Sequence, residues 1–353
     1  MHPSVRFPAF LPALCGCCAF VMMLFFSCKK PFLPGQFVDD RLVILAEITA
    51  GDSVEVPVGK TIRAGSGNLI GFQKVNDATV TVVEGSGRSW MLKPNWSARF
   101  ASNPTAVFTS RRKFKADSSY SIEVSHPALG TAKASTHIPS LPRITRIDTV
   151  PELHQGKPVL AATLTWQDDP GAENYYVIEA LKELLVTGSH FFYQGVRYSM
   201  ESQSGKTLYE RVKNTPGIQL YRDTLSQDKF LRLYLYTQDN GSENYRIDNL
   251  THPFRRLFFA DPGFSARPHT TRVFIDRQFF LATDPKQKGR VLLQVKSVSK
   301  ELFDYLLTYE IYKTDFGAFN ANQLSSPVGN IQNGLGVFGG SAKGERVFYF
   351  DPL

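Results

Sequence analysis

Short runs of alternating apolar and polar residues recur along most of the chain. In its first part they include RLVILAEI, ATVTVVE and SYSIEVS, and turn clusters such as EGSGRS separate them. A period of two places every second side chain on the same face of a β-strand, and β-branched residues favour strands. The pattern therefore predicts an antiparallel, immunoglobulin-like β-sandwich over residues 41–140.

The rest of the chain continues this pattern with more aromatic residues, as in AATLTWQ. One stretch has another period: Ser299 can cap a helix near residues 300–316, where apolar residues recur at three- and four-residue spacing. We predict that residues 152–353 form a second β-rich, sandwich-like domain with at least one packed helix. The segment IEALKELLVTG fits a helix as well as a strand, and its pattern leaves both open.

Prolines mark the boundary between the two parts. Pro139, Pro142 and Pro151 lie close together in the sequence. Proline has no backbone N–H to donate, so such a segment favours extended chain without strand pairing. We therefore predict a linker at residues 141–151 between two β-rich domains.

Residues 1–27 have the features of a secretory signal peptide. Their apolar run follows a charged start and is too short to span a membrane stably. In LFFSC a small residue directly precedes Cys28, as in bacterial lipoprotein signals. We therefore expect cleavage before Cys28, a lipid on its sulfur and a tether over residues 28–40. The alternatives are an ordinary signal peptide and acylation of Cys17 in LCGC.

A lipid on Cys28 would anchor the protein to a membrane without spanning it. Each buried methylene contributes about 0.8 kcal/mol, so several acyl chains would hold the protein stably. All four cysteines lie within the first 28 residues, so cleavage leaves only Cys28. This excludes disulfides, cysteine nucleophiles and cysteine metal ligands from the folded part.

The charge balance is basic but dispersed. Lysine and arginine number 40 against 32 acidic residues, a net charge of +8, and loss of Arg6 with the signal peptide leaves +7. The excess is spread along the chain rather than gathered in one basic patch. Nucleic-acid-binding proteins concentrate such charge, so we predict no nucleic-acid partner.

Gly334, Gly336 and Gly339 have the G-x-G-x-x-G spacing of a dinucleotide-binding loop. That loop needs a strand before it, a helix after it and an acidic residue about twenty positions further on. Only fourteen residues follow Gly339 in this sequence, and their strongest signal is another strand, so we do not expect this arrangement. We predict no cofactor, and interpret the glycines as a connection that allows positive φ and close backbone approach.

Motifs for metal binding or catalysis are also missing from the sequence. The histidines show no H-E-x-x-H or H-x-H pair, and no G-x-S-x-G motif occurs. Asp168, Asp169 and Glu173 crowd one segment but lack the alternating oxygen ligands of a calcium loop, which favours a capped, solvated turn. We therefore predict no metal, no catalytic residue and no enzyme. A hydrolase with a site assembled through space is an alternative.

Aromatic residues offer a candidate binding surface. Gly188, Ser189 and Gly195 break the segment around SHFFYQGVRY, which favours an exposed loop there. Aromatic rings in such a loop stack on sugars or line an apolar groove, although in β-rich proteins they also serve as core. The residues of this candidate patch are His190, Phe191, Phe192, Tyr193, Arg197 and Tyr198.

Two segments carry a resemblance to a known family, DDPGAENYY and SPVGNIQNGLGVFGG. With the lipoprotein signal and RVFIDRQFF, they resemble the Bacteroidota lipoproteins of the domain of unknown function 4249 family. The resemblance covers nearly all of the chain after Cys28. Its signature positions, to which we assign a structural role, are Asp169, Pro170, Gly171, Asn174, Tyr175, Asn330, Asn333, Gly334, Gly336, Phe338 and Gly339.

This resemblance implies a place in the cell envelope rather than a reaction. Members tend to be encoded beside TonB-dependent outer-membrane receptors, which implies an accessory lipoprotein that binds a ligand or such a receptor at the outer membrane. Lys29 and Lys30 follow Cys28 where exported members often have acidic residues, so the membrane face stays open. A structural or adhesive envelope module is the alternative function.

Overall fold

β-strands make up most of the structure. The computed structural model describes residues 40–62, 72–96, 105–168, 173–244, 254–260, 267–277, 287–317 and 327–350. Cys28, the signal peptide and most of the tether lie outside these ranges. The fold is mainly β with sandwich-like packing, as the sequence predicts.

The elements follow one another in short segments. The strands of the first part are β1 Leu42–Thr49, β2 Ser53–Thr61, β3 Phe72–Lys74, β4 Thr79–Glu84, β5 Ser89–Met91, β6 Lys93–Pro94, β7 Ala106–Lys113, β8 Ser118–His126 and β9 Gly130–Ile138. The second part contains β10 Arg143–His154, β11 Lys157–Gln167, β12 Tyr175–Tyr193, β13 Val196–Ser199, β14 Tyr221–Arg232, β15 Leu235–Thr237, β16 Leu257–Ala260, β17 Pro268–Asp276, β18 Gln287–Val298 and β19 Gly334–Phe350. The helices are α1 Gln203–Val212 and α2 Lys300–Gly317.

The strands form one large sheet and two smaller ones. The large sheet has the order β13-β12-β18-β19-β1-β2-β7-β6, with β14 and β16 also paired to β12 and β3 paired to β2. The smaller sheets have the orders β5-β4-β8-β9 and β10-β11-β17-β15. All described residues belong to one compact unit.

The first core lies between β1, β2 and β7 of the large sheet and the β5-β4-β8-β9 sheet. Alternation along β2 buries Val54, Val56 and Val58 on one face. These side chains join residues of β4, β8 and β9 in one hydrophobic cluster. Phe338 belongs to the same cluster although it comes from the last strand of the chain.

Strand β19 joins the two parts of the chain. Its first half pairs in parallel with β1, from Leu42 opposite Gly334 to Thr49 opposite Ser341. Its second half pairs antiparallel with β18, and Gly289 lies opposite Phe350. The glycine-rich segment is therefore part of a strand, not the connection predicted from the sequence.

The second core lies between β12 and β18 of the large sheet and the β10-β11-β17-β15 sheet. Trp166 is completely buried at its centre. The centroid of its ring lies 5.6 Å from that of Tyr176 and 5.5 Å from that of Phe259. Burial of such large rings contributes strongly to the stability of a core.

Helix α2 covers one end of the opposite face of the large sheet. Leu302 and Phe303 pack there in a cluster with Tyr175. The Oγ of Ser299 accepts hydrogen bonds from the backbone N of Leu302 (3.4 Å) and of Gly340 (3.2 Å). The packed helix and its serine cap are therefore confirmed. Among the described residues, no helix is long and apolar enough to cross a bilayer.

The predicted linker is a paired strand. Residues 143–151 belong to β10, whose register with β11 runs from Arg143 opposite Gln167 to His154 opposite Lys157. The prediction of unpaired chain is wrong because β10 is an edge strand. A proline such as Pro151 is tolerated at an edge, where its missing N–H deprives no neighbour of a hydrogen bond.

Two further elements differ from the sequence pattern. The ambiguous segment IEALKELLVTG lies within strand β12. Helix α1 follows soon afterwards and was not predicted. Ser202 caps it, because its Oγ accepts a hydrogen bond from the backbone N of Gly205 at 3.1 Å.

A charged groove as the candidate functional site

Beyond α2, the same face of the large sheet forms an open groove of about 380 Å³. Strands β1, β12, β14, β18 and β19 and the turn after β1 contribute to it. The described residues that line it are Glu47, Thr49, Asp52, Glu179, Leu181, Arg232, Leu292, Gln294, Lys296, Lys343 and Glu345. We call it the charged groove.

Strand alternation explains why charged residues gather in the charged groove. On β12, Ile178 and Ala180 are buried in the second core, so Glu179 between them lies on the opposite face. On β18, Lys296 follows Val295 of the same core in the same way. The strands therefore present apolar residues to the core and charged residues to the groove.

The Glu179 carboxylate is the centre of a buried ion cluster. Glu179 is only 1% exposed. Its Oε1 lies 2.6 Å from Arg256 Nε and 3.1 Å from Arg232 Nε, and its Oε2 lies 3.0 Å from Lys296 Nζ. Burial alone would raise the pKa of Glu179, but the three cations outweigh it and lower the pKa from 4.5 to about 2. The carboxylate is therefore ionised at neutral pH.

Lys296 connects this cluster to β1. Its Nζ lies 3.1 Å from Glu47 Oε1, and Ser341 Oγ donates a hydrogen bond to the same oxygen at 2.8 Å. Burial lowers the pKa of Lys296, whereas Glu47 and Glu179 raise it, and the net shift is upward. One protonated ammonium therefore links carboxylates from β1 and β12.

The cluster also reaches helix α2. Arg256 Nη1 lies 3.6 Å from Glu310 Oε2, and the backbone N of Arg255 donates a hydrogen bond to Glu310 Oε1 at 2.9 Å. The Glu310 side chain is 9% exposed, so this contact is also buried. The ion cluster thus ties the helix to the sheet beside the charged groove.

The rim of the groove is exposed, and several of its charges are paired. Lys343 Nζ lies 2.9 Å from Asp52 Oδ2, and Gln294 Nε2 donates a hydrogen bond to Glu345 Oε2 at 2.8 Å. Arg232 is different: it contacts Glu179 through Nε, and its terminal nitrogens have no partner in the described part of the chain. A side chain held in this way can offer its terminal nitrogens to a carboxylate or phosphate.

The predicted aromatic patch is split between the two faces of a hairpin. Phe191 is fully buried, with ring-centroid distances of 5.6 Å to Tyr198 and 5.1 Å to Tyr209 of α1. Phe192 points the other way, is 46% exposed, and lies edge-on to the exposed Tyr221. Alternation along β12 explains the split, since neighbouring residues of a strand face opposite sides.

The polar members of the patch lie close together. His190 Nδ1 lies 3.1 Å and Arg197 Nη2 lies 2.7 Å from the same oxygen of Asp223. His190 is 7% exposed, and its ring stacks on that of Tyr221. Tyr193 is only partly exposed. The exposed part of the patch is thus Phe192, Arg197 and Tyr221, of which Tyr221 was not predicted.

Asn330 has a clear structural role among the family-signature residues. Its side-chain amide donates to the backbone O of Phe338 (2.9 Å) and of Ser135 (3.1 Å), and its Oδ1 accepts from the backbone N of Phe338 (2.9 Å). It therefore ties β19 to β9 of the first sandwich. Asn333, which has a positive φ of 57°, precedes the start of β19.

The signature glycines permit close backbone contacts. Gly336 has a φ of +102°, and a Cβ there would lie 2.1 Å from the backbone O of Ile44 on β1. A Cβ on Gly334 would lie 2.9 Å from the O of Leu42, and one on Gly339 would lie 2.5 Å from Leu302 Cβ. The close approach predicted from the sequence is thus observed, but it occurs along a strand.

The middle signature is only partly described. Asp169, Pro170 and Gly171 lie outside the described residues. Asn174 directly precedes β12, and the ring centroid of Tyr175 lies 5.0 Å from that of Phe303 on α2. Tyr175 therefore helps to seat the helix.

Asp168 does not lie in a solvated turn. It is 1% exposed, and Tyr176 Oη donates a hydrogen bond to its Oδ1 at 2.7 Å. The prediction of a solvated residue is wrong because Tyr176 of β12 provides a buried partner from the facing sheet. Among the described residues, no three histidine, cysteine or carboxylate side chains come together as a metal would require.

The described histidines are distributed over separate regions. His126 lies 3.1 Å from Asp77 beside the first core, whereas His269 Nε2 lies 2.8 Å from Asp239 Oδ2 beside Trp166. His252 lies outside the described residues. The described His–Asp pairs thus belong to different surfaces and do not form one site.

Sequence reasoning missed the charged groove. Glu179 and Lys296 interrupt apolar runs, in VIEALKEL and VLLQVKSV, and this was the available signal. A charge at every second position of a strand indicates an outward face, but it does not show that strands distant in sequence bring such charges together.

Comparison with known proteins gives a family and no activity. A family model described as "Domain of unknown function (DUF4249)" matches residues 30–346. A search of curated proteins finds no match.

Proposed function

The chain belongs to the DUF4249 family, and we propose that it is a lipid-anchored accessory protein of the cell envelope that binds a ligand. In this proposal it performs no chemistry of its own. The anchor is a lipid on Cys28 at the outer membrane, with residues 28–40 as the tether. The sequence LFFSC and the loss of every other cysteine with the signal peptide support this part.

The charged groove is the observation that supports ligand binding. It lies on a sheet face that α2 leaves open, and its centre is an ion cluster around Glu179. Replacing a buried ion pair by apolar residues is often neutral or stabilising, so stability alone does not account for the cluster. A binding role does, because the cluster holds Arg232 at the groove, where its terminal nitrogens have no partner among the described residues.

Arg232 favours a ligand that carries an acidic group. A guanidinium binds a carboxylate or phosphate through two parallel hydrogen bonds, which a lysine does not reproduce. The nearby carboxylates Glu47 and Glu345 would accept hydrogen bonds from hydroxyl or ammonium groups of the same ligand. A polar molecule with both kinds of group matches this lining.

Thermal unfolding of the protein with panels of compounds tests the ligand proposal. We expect one class of acidic, hydroxyl- or amine-bearing compounds to raise the melting temperature, since a ligand that binds only the folded state stabilises it. Arg232→Lys keeps the positive charge beside Glu179 but loses the planar guanidinium with its two parallel donors. This variant should therefore show no rise in melting temperature with the compound. Arg146→Lys, at an exposed ion pair outside the groove, is the matched control and should retain it.

Either of two results would count against the ligand proposal. A rise that is unchanged in Arg232→Lys would place binding elsewhere. The lack of any rise across glycan, peptide and siderophore panels would favour a structural or adhesive module instead.

We also propose a TonB-dependent receptor as partner, and the exposed hairpin surface of Phe192 and Tyr221 supports a protein contact. The test is co-purification of a C-terminally tagged protein from mildly solubilised membranes of its native host. We expect the receptor to be recovered with the wild type and lost with Phe192→Ser. Repeated recovery of the wild type without a receptor would contradict this partnership.

A further inference from the structure

Several strand ends meet where the chain enters the fold. Residue 42 begins β1, and it lies opposite Lys60 near the end of β2. Phe72 of β3 lies opposite Thr61, the last residue of β2. The tether of the proposed function therefore joins the fold at this end of the large sheet.

Trp96 lies at the same end. Pro94 of β6 is opposite Phe108 of β7, and the backbone N of Asn95 donates to the O of Val107. Strand β7 begins at Ala106, opposite Val58 of β2, so the chain after β6 leads towards this end. Trp96 follows directly.

Large apolar side chains are exposed there. Trp96 is 70% exposed and Phe72 is 37% exposed. The other tryptophans behave differently, since Trp166 is completely buried and Trp90 packs against the first core. An exposed tryptophan is costly in water, whereas its amphipathic ring suits the boundary between lipid headgroups and acyl chains.

Positive charge accompanies these side chains. In the large sheet, the ionisable residues of these strand ends are Asp40, Arg41, Lys60, Lys74 and Lys93, and Asp40 is already paired with Lys60 at 3.3 Å. At the same end of the facing sheet, the exposed carboxylates of Asp77 and Glu123 are paired with His126 and Lys133. Arg41 and Lys93 are exposed. Basic residues near a membrane are attracted to anionic headgroups by about 1 kcal/mol each.

We infer that this tryptophan end, formed by Arg41, Phe72, Lys93 and Trp96, rests on an anionic lipid surface. The inference depends on the lipid anchor of the proposed function. About twelve residues separate Cys28 from Asp40, so the tether reaches at most about 43 Å. The anchor therefore holds the tryptophan end near the bilayer.

This orientation keeps the other surfaces clear of the membrane. Strand β19 starts at the tryptophan end, and its 17 residues extend for about 55 Å. Glu345 of the charged groove lies in the second half of that strand, and β12 carries the hairpin beyond it. Groove and hairpin thus remain accessible to soluble ligands and to a receptor.

Tryptophan fluorescence of the mature lipoprotein in vesicles tests the inference. The vesicles contain phosphatidylethanolamine and phosphatidylglycerol, with or without bromine near the headgroup end of the acyl chains. We expect the brominated lipid to quench emission, and Trp96→Phe to lose most of that quenching. Trp90→Phe should keep it, as should Leu153→Ser, which changes an exposed apolar residue of another sheet.

The mass of the N-terminal peptide that contains Cys28, measured in the same sample, distinguishes failure of the membrane contact from failure of the lipid anchor. A lipidated protein whose emission is equal in both vesicles would overturn the membrane contact and leave the anchor intact. A protein without lipid on Cys28 would overturn both. Quenching that persists unchanged in Trp96→Phe would also refute the assignment to the tryptophan end.

Discussion

Substitution of Glu179 by glutamine tests the buried ion cluster most severely. Glutamine keeps the shape of the side chain and removes its charge, so Lys296, Arg232 and Arg256 lose their shared partner. One pKa unit corresponds to about 1.4 kcal/mol, and the pKa falls from 4.5 to about 2 on folding. We therefore expect Glu179→Gln to lower the free energy of unfolding by about 3 kcal/mol at pH 7.

The effect has a defined pH dependence. Because the pKa of Glu179 is lower in the folded state, its stabilisation is complete above the unfolded pKa of 4.5 and is lost as the pH falls towards 2. At pH 3 only about 1 kcal/mol of this stabilisation should remain. The difference in the free energy of unfolding between the wild type and Glu179→Gln should therefore decrease by about 2 kcal/mol between pH 7 and pH 3.

Urea denaturation at constant ionic strength measures both quantities. Glu123→Gln is the matched control, since Glu123 pairs with Lys133 at 2.7 Å but is 48% exposed. Exposed pairs contribute little, so this control should change the free energy of unfolding by less than about 1 kcal/mol. A Glu179→Gln variant that is as stable as the control at pH 7, or whose deficit does not change with pH, would refute the reasoning.

Three further substitutions probe the cluster and the last strand, and a fourth is a control; all four are measured by the same urea denaturation. Lys296→Met should lower the free energy of unfolding by about 3 kcal/mol, because it removes one partner from a buried ion pair. An unchanged free energy of unfolding would contradict the proposed role of the ion cluster. Asn330→Ala should cost about 2–4 kcal/mol, because it leaves both backbone groups of Phe338 without their side-chain partner. Gly336→Ala should cost at least about 3 kcal/mol, since its Cβ would strike the backbone of β1. Gly87→Ala, also at positive φ but in open space, should cost only about 1 kcal/mol. Equal losses in the two glycine variants would argue against the tight β1–β19 contact.

Local periodicity predicted the local structure well. Alternation predicted the strands, and the spacing after Ser299 predicted a helix that the structure places at Lys300–Gly317. Both signals depend on residues a few positions apart, where the backbone geometry of one element determines which side chains share a face. The immunoglobulin-like topology of the first part stays a prediction.

Long-range pairing was beyond this reasoning. The parallel contact between β1 and β19 joins residues about three hundred positions apart, and nothing in either strand's pattern identifies its partner. The charged groove depends on that contact, because Glu47 of β1 meets Lys296 only through the shared sheet. For the same reason the glycines of β19 resembled a connection in the sequence, although they lie in the strand segment that pairs with β1.

The most direct test of the central proposal is the fate of Cys28. Membrane fractions of the native host would be compared for the wild type, Cys28→Ala and Cys17→Ala, with mass spectrometry of the N-terminal peptide. We expect a diacylated or triacylated Cys28 in the wild type and in Cys17→Ala, and no such peptide in Cys28→Ala. A wild-type protein whose N-terminal peptide carries no lipid on Cys28 would contradict the lipid-anchored function.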